Sequence, residues 1–591
     1  MIMKNIAKYI LSIAVILAMF ACEDDLMDKM PLDKFSETSV WEDLNLTEAY
    51  VNNQYKVLPK LGWYEWIRAY QISVFTDEAT HKYGYHGIHD YWGGSMGPSI
   101  TTSIDVWSYH YGFIKGCNVF LENIDKVPAE SDSEVARKDR MTGEIHALRA
   151  WSYMDLAVRY GGVVLVTEPY GLEDDFSSER STFDETVAQV LSDLETAIDL
   201  LPESYADDAD WGRMTKGAAM AIKSRMLLYA ASPLFNPDND RTKWEAAAQA
   251  AKDVIDLQIY GLEDNYKELF ISTKNNEMIL FRGNDAINDD GYYVYFEIVE
   301  GLGGGIDGAG YAQGWSSTMI SQKMVDAFEW EDGSKFDWDN PADALDPYGI
   351  GANGQVDGDG QPLRKRDPRF YASVTFDGST WISDSTVEFW ISEESNNYTL
   401  DPEDPDFKID NVIYGRNSVG NPVKKYDCPQ MSYIYRKSMD PLYDIQVEQY
   451  PKSIPWIIIR YAEILLNYAE ASFEAGDEPT ALLYLDMVRD RVSMPAISAS
   501  GDALREAIHH ERQIELCFET HRFYDARRWK IATQEFNEPI RGMRIVKDKN
   551  SDTKVYNVFE YEQRTWPERY YFQPVPQYEL DRIDLEQNPG Y

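Results

Sequence analysis

Acidic and basic residues alternate in steps of three or four between positions 511 and 528. The row consists of Glu511, Arg512, Glu515, Glu519, Arg522, Asp525 and Arg528, and Trp529 follows it. Such steps place most of these side chains on one helical face, or on two short helices that meet near Thr520, with Asp502 as the first N-cap. A pair of these carboxylates could perform acid–base chemistry. Because each acid has a nearby arginine that keeps it ionised, the pattern favours an ion-pair network that locks helices together.

Aromatic residues concentrate in two glycine-rich segments that lack a sustained helical period, 81–106 and 283–317. Long irregular segments inside a domain are often functional. Aromatic rings in such segments can stack on a ligand, so we predict a ligand-stacking surface here, with simple loop packing as the alternative. The candidate ligand-binding residues are, first, Tyr91, Trp92, Tyr311 and Trp315, and then Tyr83, Tyr292 and Tyr293.

Metal binding and nucleotide binding have less support in these segments. The first segment contains three histidines, His81, His86 and His89, but only Asp90 stands near them at ligand spacing. The second contains the run GLGGGIDGAG, which lacks the strand–helix context of a dinucleotide site and the GK[ST] of a phosphate-binding loop. A flexible loop that carries aromatic residues is the better interpretation.

One further segment has a faint likeness to a calcium loop. Asn353, Asp357 and Asp359 stand in NGQVDGDGQP, but Arg364 occupies the twelfth position, where a calcium loop has an acid. We therefore predict no cofactor and no metal, with calcium as the alternative to a glycine-rich turn.

The composition limits the kinds of ligand. Of 591 residues, 100 are acidic and 56 are Lys or Arg, which gives a net charge of −44. This charge disfavours nucleic acid and anionic membrane surfaces as partners. The four cysteines, Cys22, Cys117, Cys428 and Cys517, have no CxxC spacing and so predict neither a disulfide framework nor a zinc site. Cys117 and Cys517 stand in apolar helical surroundings that are typical of small core residues.

The N-terminus has the pattern of an export signal. Lys4 and Lys8 provide a positive start, residues 10–20 form an apolar run too short to span a bilayer, and Ala21-Cys22 looks like a lipoprotein processing site. We predict a signal peptide over residues 1–21 and lipidation of Cys22, which would anchor the protein through acyl chains. The alternative is a soluble exported protein that is cut near Ala21.

Hydrophobic periodicity predicts a mainly α-helical protein. Helical patterns cover 107–126, 134–160, 182–201, 215–232, 243–257, 458–475 and 478–492. Alanines at helical spacing, and Gly476 between the last two segments, are typical of degenerate tetratricopeptide-type hairpins. Arg149 and Asp155 are expected to form an ion pair between helices.

Several segments together resemble the SusD/RagB-like family of nutrient-binding lipoproteins from Bacteroidetes outer membranes. The charged row reads ER-x-x-EL-x-x-E-x-x-R-x-x-D-x-x-RW over 511–529, which is similar to the C-terminal signature of that family. Further segments resemble family motifs in the same order along the chain. They are 143–169, 212–236, 457–471 and 570–591, the last of which ends in QNPGY.

The resemblance implies a fold and a location. It implies a single SusD-like unit over 22–591, with an N-terminal part over about 22–235 and a C-terminal SusD/RagB part over about 270–591. Degenerate helix pairs would form the scaffold, and long irregular loops with a few short strands would carry the ligand site. The family also implies a lipid-anchored protein that faces the cell exterior from the outer membrane. There it would close over a SusC-like, TonB-dependent transporter as its partner.

Three functions remain open on this basis. The leading hypothesis is a glycan-binding protein without catalysis that captures oligo- or polysaccharide for nutrient uptake, because aromatic residues make up 13% of the chain. The alternative is oligopeptide capture, as in the RagB branch, which would favour main-chain hydrogen bonding in a larger enclosed cavity. A glycoside hydrolase with two carboxylates has the least support, because 100 acidic residues offer no distinctive pair.

Overall fold

The computed structural model describes residues 37–59, 69–82, 87–100, 102–171, 179–283, 316–381, 385–392, 429–440, 454–548 and 551–591. Helices dominate this part of the chain, which confirms the mainly helical fold. None of the helices in these ranges is long and apolar enough to cross a membrane. The helices are α1 Glu37–Val40, α2 Leu44–Gln54, α3 Ile88–Trp92, α4 Trp107–Asn123, α5 Asp132–Tyr160, α6 Phe183–Leu200, α7 Lys216–Ala231, α8 Arg241–Asp256, α9 Tyr266–Leu269, α10 Gln322–Ala327, α11 Pro341–Leu345, α12 Pro368–Ser373, α13 Tyr461–Glu474, α14 Glu478–Asp490, α15 Asp502–Glu515, α16 His521–Arg528, α17 Ala532–Glu535 and α18 Gln577–Leu580.

Consecutive long helices pack as pairs, as the spacing of the alanines predicted. α5 packs along α6, α7 along α8, and α13 along α14. α8 also packs against α13, so the N-terminal pairs and the C-terminal pair form one scaffold. Small residues allow this close approach, because Ala218, Ala219 and Ala221 of α7 are fully buried.

Local sequence signals determine where these helices begin and end. The Ser131 side chain accepts from the Glu134 N–H, and Glu134 Oε2 accepts from the Ser131 N–H at 2.9 Å, which caps the start of α5. Thr182 and Glu185 form the same capping box at the start of α6. Gly476 separates α13 from α14 with a φ of +87°, a backbone conformation that glycine adopts without strain.

Within the described ranges, short strands form four small sheets. The strands are β1 Ala79–His81, β2 Met278–Arg282, β3 Thr318–Ile320, β4 Val374–Thr375, β5 Thr380–Trp381, β6 Ser385–Thr386, β7 Trp390–Ser392, β8 Ile434–Tyr435, β9 Trp456–Arg460, β10 Ile540–Lys547 and β11 Lys554–Glu562. Their orders are β1-β3-β8-β4, β11-β10-β7, β2-β9 and β5-β6. β2 and β9 are antiparallel, with Phe281 opposite Ile457. This pair fixes residue 282, where the second aromatic segment begins, beside the helical scaffold.

The alternating charges lie on two helices, α15 and α16, that meet at Thr520. Thr520 has a φ of +76°, so the chain turns there and the predicted break between two short helices is confirmed. The N-cap prediction was wrong, because the helix already includes Asp502 and the N-cap residue is Gly501. The Asp502 carboxylate instead pairs with Arg505 one turn along the helix, at 2.6 Å.

The acids of this row are buried against cations. The ion pairs join Glu511 to Arg489 at 2.8 Å, Glu515 to Arg460 at 2.6 Å, Glu519 to Arg460 at 2.7 Å, Asp525 to Arg528 at 2.7 Å and Asp77 to Arg522 at 2.8 Å. Burial alone would raise the pKa of Glu519, but Arg460 and Lys437 hold it at about 2. The ion-pair network is therefore confirmed.

Arg149 and Asp155 both form ion pairs, but not with each other. Arg149 binds Asp193 on α6 at 2.6 Å, whereas Asp155 binds Arg159 on its own helix at 2.9 Å. The predicted pair fails because both residues lie on α5, six positions apart, and six helical steps of 100° point the side chains to different sides. Asp155 consequently lies on a different side of the helix from Arg149.

Candidate ligand-binding cavity

Tyr91 and Trp92 lie in the protein core. They stand on α3, and their exposed fractions are 1% and 3%. The Trp92 Nε1 donates to the Val74 carbonyl at 2.9 Å, and the Tyr91 hydroxyl accepts from the Trp566 Nε1 at 2.7 Å. Burial also raises the pKa of Tyr91 to about 12. The prediction that these two rings are exposed was therefore wrong.

The C-terminal part of the chain covers these rings. Tyr570 stacks on Tyr91 with ring centroids 5.2 Å apart, and the Arg564 guanidinium lies 3.6 Å from the centroid of the Trp92 ring. Trp566 and Tyr91 are 475 residues apart in sequence, so no local pattern could have shown this contact. The segment was expected to be irregular, but part of it folds into a short helix that turns both rings inward.

The other predicted ring residues lie outside the described part of the chain, and so does the predicted lipidation site Cys22. The rings are Tyr83, Tyr292, Tyr293, Tyr311 and Trp315. Their roles stay predictions.

In the segment that resembles a calcium loop, the side-chain oxygens of Asp357 and Asn353 accept hydrogen bonds from backbone N–H groups. Asp357 Oδ1 accepts from the N–H groups of Asp359 and Gln361, each at 2.9 Å. The Asn353 side chain donates to the Lys554 carbonyl at 2.8 Å and accepts the Lys554 N–H at 2.7 Å. Across the described ranges, no group of three or more His, Cys, Asp or Glu side chains is placed to hold a metal ion. The absence of a metal stays a prediction, with calcium as its alternative.

The expectation that the chain has no GxSxG motif was wrong, because residues 93–97, GGSMG, have this order of a hydrolase nucleophile. In the structure they follow a helix, α3, whereas the hydrolase motif requires a strand before its turn. Ser95 Oγ contacts the Asp90 carbonyl at 3.1 Å and its carboxylate at 3.3 Å. Ser95 thus belongs to a polar turn, and the context gives no support for a nucleophile.

A cavity of about 130 Å³ lies where α4, α5, α7, β9 and α16 converge. Its polar lining residues are Ser103, Asp105, His110, Asp155, Arg159, Arg225, Glu519 and Thr520, and its aromatic lining residues are Tyr109, Trp151, Tyr229, Trp456 and Tyr524. Rings and polar groups therefore meet in one concave site, which is the usual composition of a small-ligand pocket.

The cavity lies beside the points where two undescribed segments leave the scaffold. Pro59 lines it and immediately precedes residues 60–68. The Arg282 guanidinium, at the end of β2, donates to the carbonyl groups of Lys56 and Leu58. Arg282 is thereby held next to the same wall of the cavity.

Asp155 is the centre of the polar cluster in this cavity. It accepts hydrogen bonds from His110 Nε2 at 2.8 Å, Arg159 Nε at 2.9 Å and the Tyr524 hydroxyl at 2.7 Å. Burial would raise the pKa of Asp155, but the Arg159 guanidinium and the His110 hydrogen bond together lower it below its ordinary value. The carboxylate is thus fixed as an ionised acceptor whose partners are all protein groups.

His110 lines the cavity with a ring of which only one nitrogen has a hydrogen-bond partner among the described residues. Its side chain is buried, and among the described residues its Nδ1 has no hydrogen-bond partner. Because an ionised carboxylate can only accept, the Nε2 that faces Asp155 must carry the proton. In the neutral ring Nδ1 is then an acceptor, held in one orientation and suited to a ligand hydroxyl.

The aromatic walls are held in place by polar contacts at their edges. The Tyr109 hydroxyl donates to the Lys56 carbonyl, and the Arg225 guanidinium lies 5.7 Å from the centroid of the Trp151 ring. Arg225 is in turn fixed by Glu463 at 2.6 Å. Rings held in place beside the unpartnered nitrogen of His110 are suited to binding a neutral, hydroxyl-bearing molecule.

Sequence reasoning did not find this cavity. His110 belongs to a helix that was recognised, and Asp155 was assigned to the wrong ion pair. The only local signal was a histidine within an otherwise apolar helical pattern, Trp107 to Leu121. That signal is weak, because such a histidine is more often a satisfied core residue.

Comparison with known protein families gives two matches that together cover most of the chain. The profile of the SusD family matches residues 276–591, and a profile described as SusD-like, starch-binding and associating with the outer membrane matches residues 32–228. The first match alone extends over more than half of the 591 residues.

Individual relatives agree with these profiles. A SusD-like protein from Bacteroides fragilis has a solved structure that is 30% identical, covers 95% of this chain and all of its own, and superposes with a TM-score of 0.73. A SusD-like carbohydrate-binding protein from the same species is 21% identical, with 92% and 99% coverage and a TM-score of 0.70, and so supports the fold. SusD-like protein P25 of Formosa agariphila is 24% identical over 72% of this chain and 70% of its own length. The chain therefore belongs to the SusD family.

Proposed function

We propose that this protein is a cell-surface glycan-binding lipoprotein. It captures oligo- or polysaccharide and delivers it to a SusC-like, TonB-dependent transporter for nutrient uptake. The observation that carries the proposal is a cavity lined both by aromatic rings and by His110, whose buried Nδ1 has no hydrogen-bond partner among the described residues. The described carbohydrate binding of a relative with the same fold supports the ligand class.

The cavity suggests how a sugar would be held. A hydroxyl of the sugar donates to His110 Nδ1, while the apolar face of the sugar ring packs on Tyr109 or Trp151. Asp155 does not need to contact the sugar, because it keeps His110 in the required tautomer and orientation. One hydrogen bond and one ring contact give modest affinity, which suits a protein that must release its ligand to an importer.

The location and partner are further parts of the proposal. Lipidation of Cys22 would hold the chain at the outer membrane, a location that agrees with the description of the N-terminal family profile. The acyl anchor needs no membrane-spanning helix. The strongly negative surface, with a net charge of −44, favours a neutral glycan over a highly acidic one.

We propose that the protein has no catalytic activity. The Asp155 and Glu519 carboxylates of the cavity are both held ionised by neighbouring cations, and a glycosidase needs one carboxyl group that keeps a proton. Asp105 has a pKa raised by burial, but its Oδ1 already accepts from the Tyr160 hydroxyl at 2.7 Å. Release of sugar products from any of the tested glycans by the purified protein would contradict this part.

The test compares two histidine substitutions in purified protein. His110→Phe removes the unpartnered ring nitrogen but keeps an aromatic ring at this position. His146→Phe is the matched control, because His146 also binds an aspartate, Asp193, at 2.7 Å but does not line the cavity. In both variants the aspartate keeps an arginine partner, so the loss to the fold is comparable.

Binding is measured by affinity electrophoresis and calorimetry against starch, β-1,3-glucan, xylan, mannan and mixed oligopeptides. We expect a glycan to bind the wild type. His110→Phe should bind it about tenfold more weakly, which corresponds to one lost hydrogen bond, and His146→Phe should bind it as the wild type does. Equal binding by both variants would keep the function but remove the cavity as its site. Binding of peptides alone would favour the oligopeptide function.

A further inference from the structure

We propose that a second groove, on the opposite face of α4, is an additional subsite for a neutral sugar chain. This proposal rests on the proposed glycan capture and extends it to a separate surface. The groove has a volume of about 970 Å³, against about 130 Å³ for the first cavity. It is bounded by α4, by the extended chain that follows α5, and by the region of α18.

The two sites use different sides of one helix. Val106, Tyr109 and His110 face the first cavity, whereas Tyr111, Gly112 and Lys115 face the groove. With 100° per residue these two sets point in nearly opposite directions. The groove is therefore distinct from the first cavity and cannot be an extension of it.

Gly112 is the first indication that the groove accommodates a ligand. It is exposed in the interior of α4, and no described atom beyond its chain neighbours and its own helix lies within 4 Å of where a Cβ would stand. By contrast, a Cβ at Gly116, one turn further, would collide with the Gln54 side chain. Packing thus explains Gly116 but not Gly112, and glycine inside a helix is otherwise unfavourable. A missing side chain here leaves the helix backbone open to close approach by a ligand.

Two tyrosines give the groove rings for stacking. Tyr111 donates through its hydroxyl to the Val164 carbonyl at 2.8 Å, which fixes the ring in a half-buried position. Tyr170, on the opposite wall, is 41% exposed, which is high for an aromatic side chain. Both rings line the groove, and each offers a surface on which the apolar face of a sugar can pack.

The groove is unsuited to peptide recognition through the main chain. The Val166 carbonyl accepts from Tyr153 and from Asn118, at 2.7 and 2.8 Å, and the Val166 N–H approaches the Tyr153 hydroxyl at 2.7 Å. The Val164 carbonyl is likewise occupied by Tyr111. An added peptide strand would need these groups for its hydrogen bonds. The main-chain groups of Val164 and Val166 that these bonds occupy are therefore not offered to a peptide, whereas the polar side chains of the groove suit hydroxyls.

The charges that line the groove favour a neutral ligand. Glu168 and Glu579 contribute two carboxylates, and Lys115 and Arg582 contribute two cations. Glu579 and Arg582 approach within 3.7 Å of each other. The balance gives no net preference for an anion or a cation, while each group can hydrogen-bond a sugar hydroxyl.

The first test fills the groove and removes one of its rings. Gly112→Trp places a bulky side chain in the open space beside the helix. Tyr170→Ala removes an exposed ring that is not on the helix. If one of the two variants fails to fold, the other still tests the groove. Trp211→Ala is the matched control, because Trp211 is also exposed, at 39%, and lines neither site. Thermal melting of each variant checks the fold.

Retardation is measured in native gels that contain starch or β-1,3-glucan, and stoichiometry is measured by calorimetry with maltoheptaose and laminarihexaose. We expect two sites per chain in the wild type, one in Gly112→Trp and in Tyr170→Ala, and two in Trp211→Ala. In the gels, the two groove variants should be retarded several-fold less than the control.

The outcomes separate this proposal from the proposed function. The wild type could have one binding site that Gly112→Trp and Tyr170→Ala keep and that His110→Phe loses. This result would overturn the second subsite and leave glycan capture intact. No glycan binding by the wild type would overturn both. Weakened binding of oligopeptides but not of glycans in the groove variants would also overturn the subsite.

Discussion

Replacing Glu515 by glutamine tests whether charge holds the C-terminal helices to the scaffold. Glu515 is fully buried and approaches three guanidinium groups: Arg460 at 2.6 Å, Arg369 at 2.9 Å, and Arg491. Glutamine keeps the shape of the side chain and removes only the negative charge. The substitution thus leaves three buried cations with fewer anionic partners.

The expected loss of stability follows from these contacts. Breaking a buried ion pair typically costs about 3–5 kcal/mol. Arg369 and Arg460 keep other carboxylates, Asp367 at 2.7 Å and Glu519 at 2.7 Å, so the lower end of about 3 kcal/mol applies. With about 2 cal/mol/K of unfolding entropy per residue, a chain of 591 residues should melt about 2–3 °C lower.

The assay is urea denaturation with thermal melting, and the matched control is Glu506→Gln. Glu506 lies on the same helix but is exposed, so its substitution should change stability by no more than about 0.5 kcal/mol. Equal stability losses in the two variants would refute the reasoning, because a solvated charge and a buried one would then contribute alike.

The dependence on pH gives a second check. Burial would raise the pKa of Glu515, but Arg491, Arg460 and Arg369 hold it well below its usual range. A carboxylate with a depressed pKa stabilises the fold above the pKa of the unfolded chain, near 4.5, and loses that effect as the pH falls further. The difference between wild type and Glu515→Gln should therefore be constant from pH 7 to 5.5 and shrink below about 4.5. A difference that persisted at pH 3 would point to shape, not charge.

Three further predictions concern other sites. Gly112→Ala should raise stability by about 0.5–1 kcal/mol in urea denaturation, because alanine is the better helix former and its Cβ meets no described atom within 4 Å beyond its neighbours and its own helix. Burial and the adjacent Asp77 carboxylate raise the pKa of Glu78 to about 7, so the folded state holds this proton more tightly than the unfolded chain does. The stability of the wild type should therefore fall as the pH rises from about 4.5 to 7. Glu78→Gln should flatten this dependence, as measured by thermal melting at a series of pH values. Cys117 and Cys517 are fully buried, and burial raises their thiol pKa values to about 12 and about 11; both should resist alkylation in native buffer and react in urea, as measured by peptide mass mapping.

Each of these predictions has a contrary result. A less stable Gly112→Ala would show that the space beside α4 is closed in solution. An unchanged pH slope in Glu78→Gln would mean that another group holds the proton. Rapid labelling of Cys117 in native buffer would reveal local opening of α4, and rapid labelling of Cys517 would reveal opening between α15 and α16.

The sequence was a good guide wherever the physical signal is local. Apolar residues at helical spacing predicted the long helices to within a few residues, as in α5, predicted over 134–160 and observed over Asp132–Tyr160. The two buried cysteines were also assigned correctly as core residues. Both results depend on neighbours within one helix, which is the range over which a sequence pattern reports directly.

The candidate site was far less accessible from the sequence. Tyr91 and Trp92 occur in a glycine-rich stretch that resembles a loop, yet Tyr570 and Arg564 bury them from the far end of the chain. His110 became a candidate only because Asp155, on another helix, binds one ring nitrogen, while the other has no hydrogen-bond partner among the described residues. A composition rich in aromatic residues predicts a ligand-binding surface, but it does not indicate which of the rings are buried by the rest of the fold.

By itself, the sequence determined the helical scaffold, the family and the existence of an ion-pair network in which each acid of the charged row is matched by a cation. These properties follow from periodicity and from charges placed three or four residues apart. Only the tertiary structure decided which residues are partners: Arg149 binds Asp193 and not Asp155, and α4 exposes a different site on each of two faces. The reason is physical, since burial and hydrogen-bond pairing depend on elements that are remote in sequence and meet only when the chain is folded.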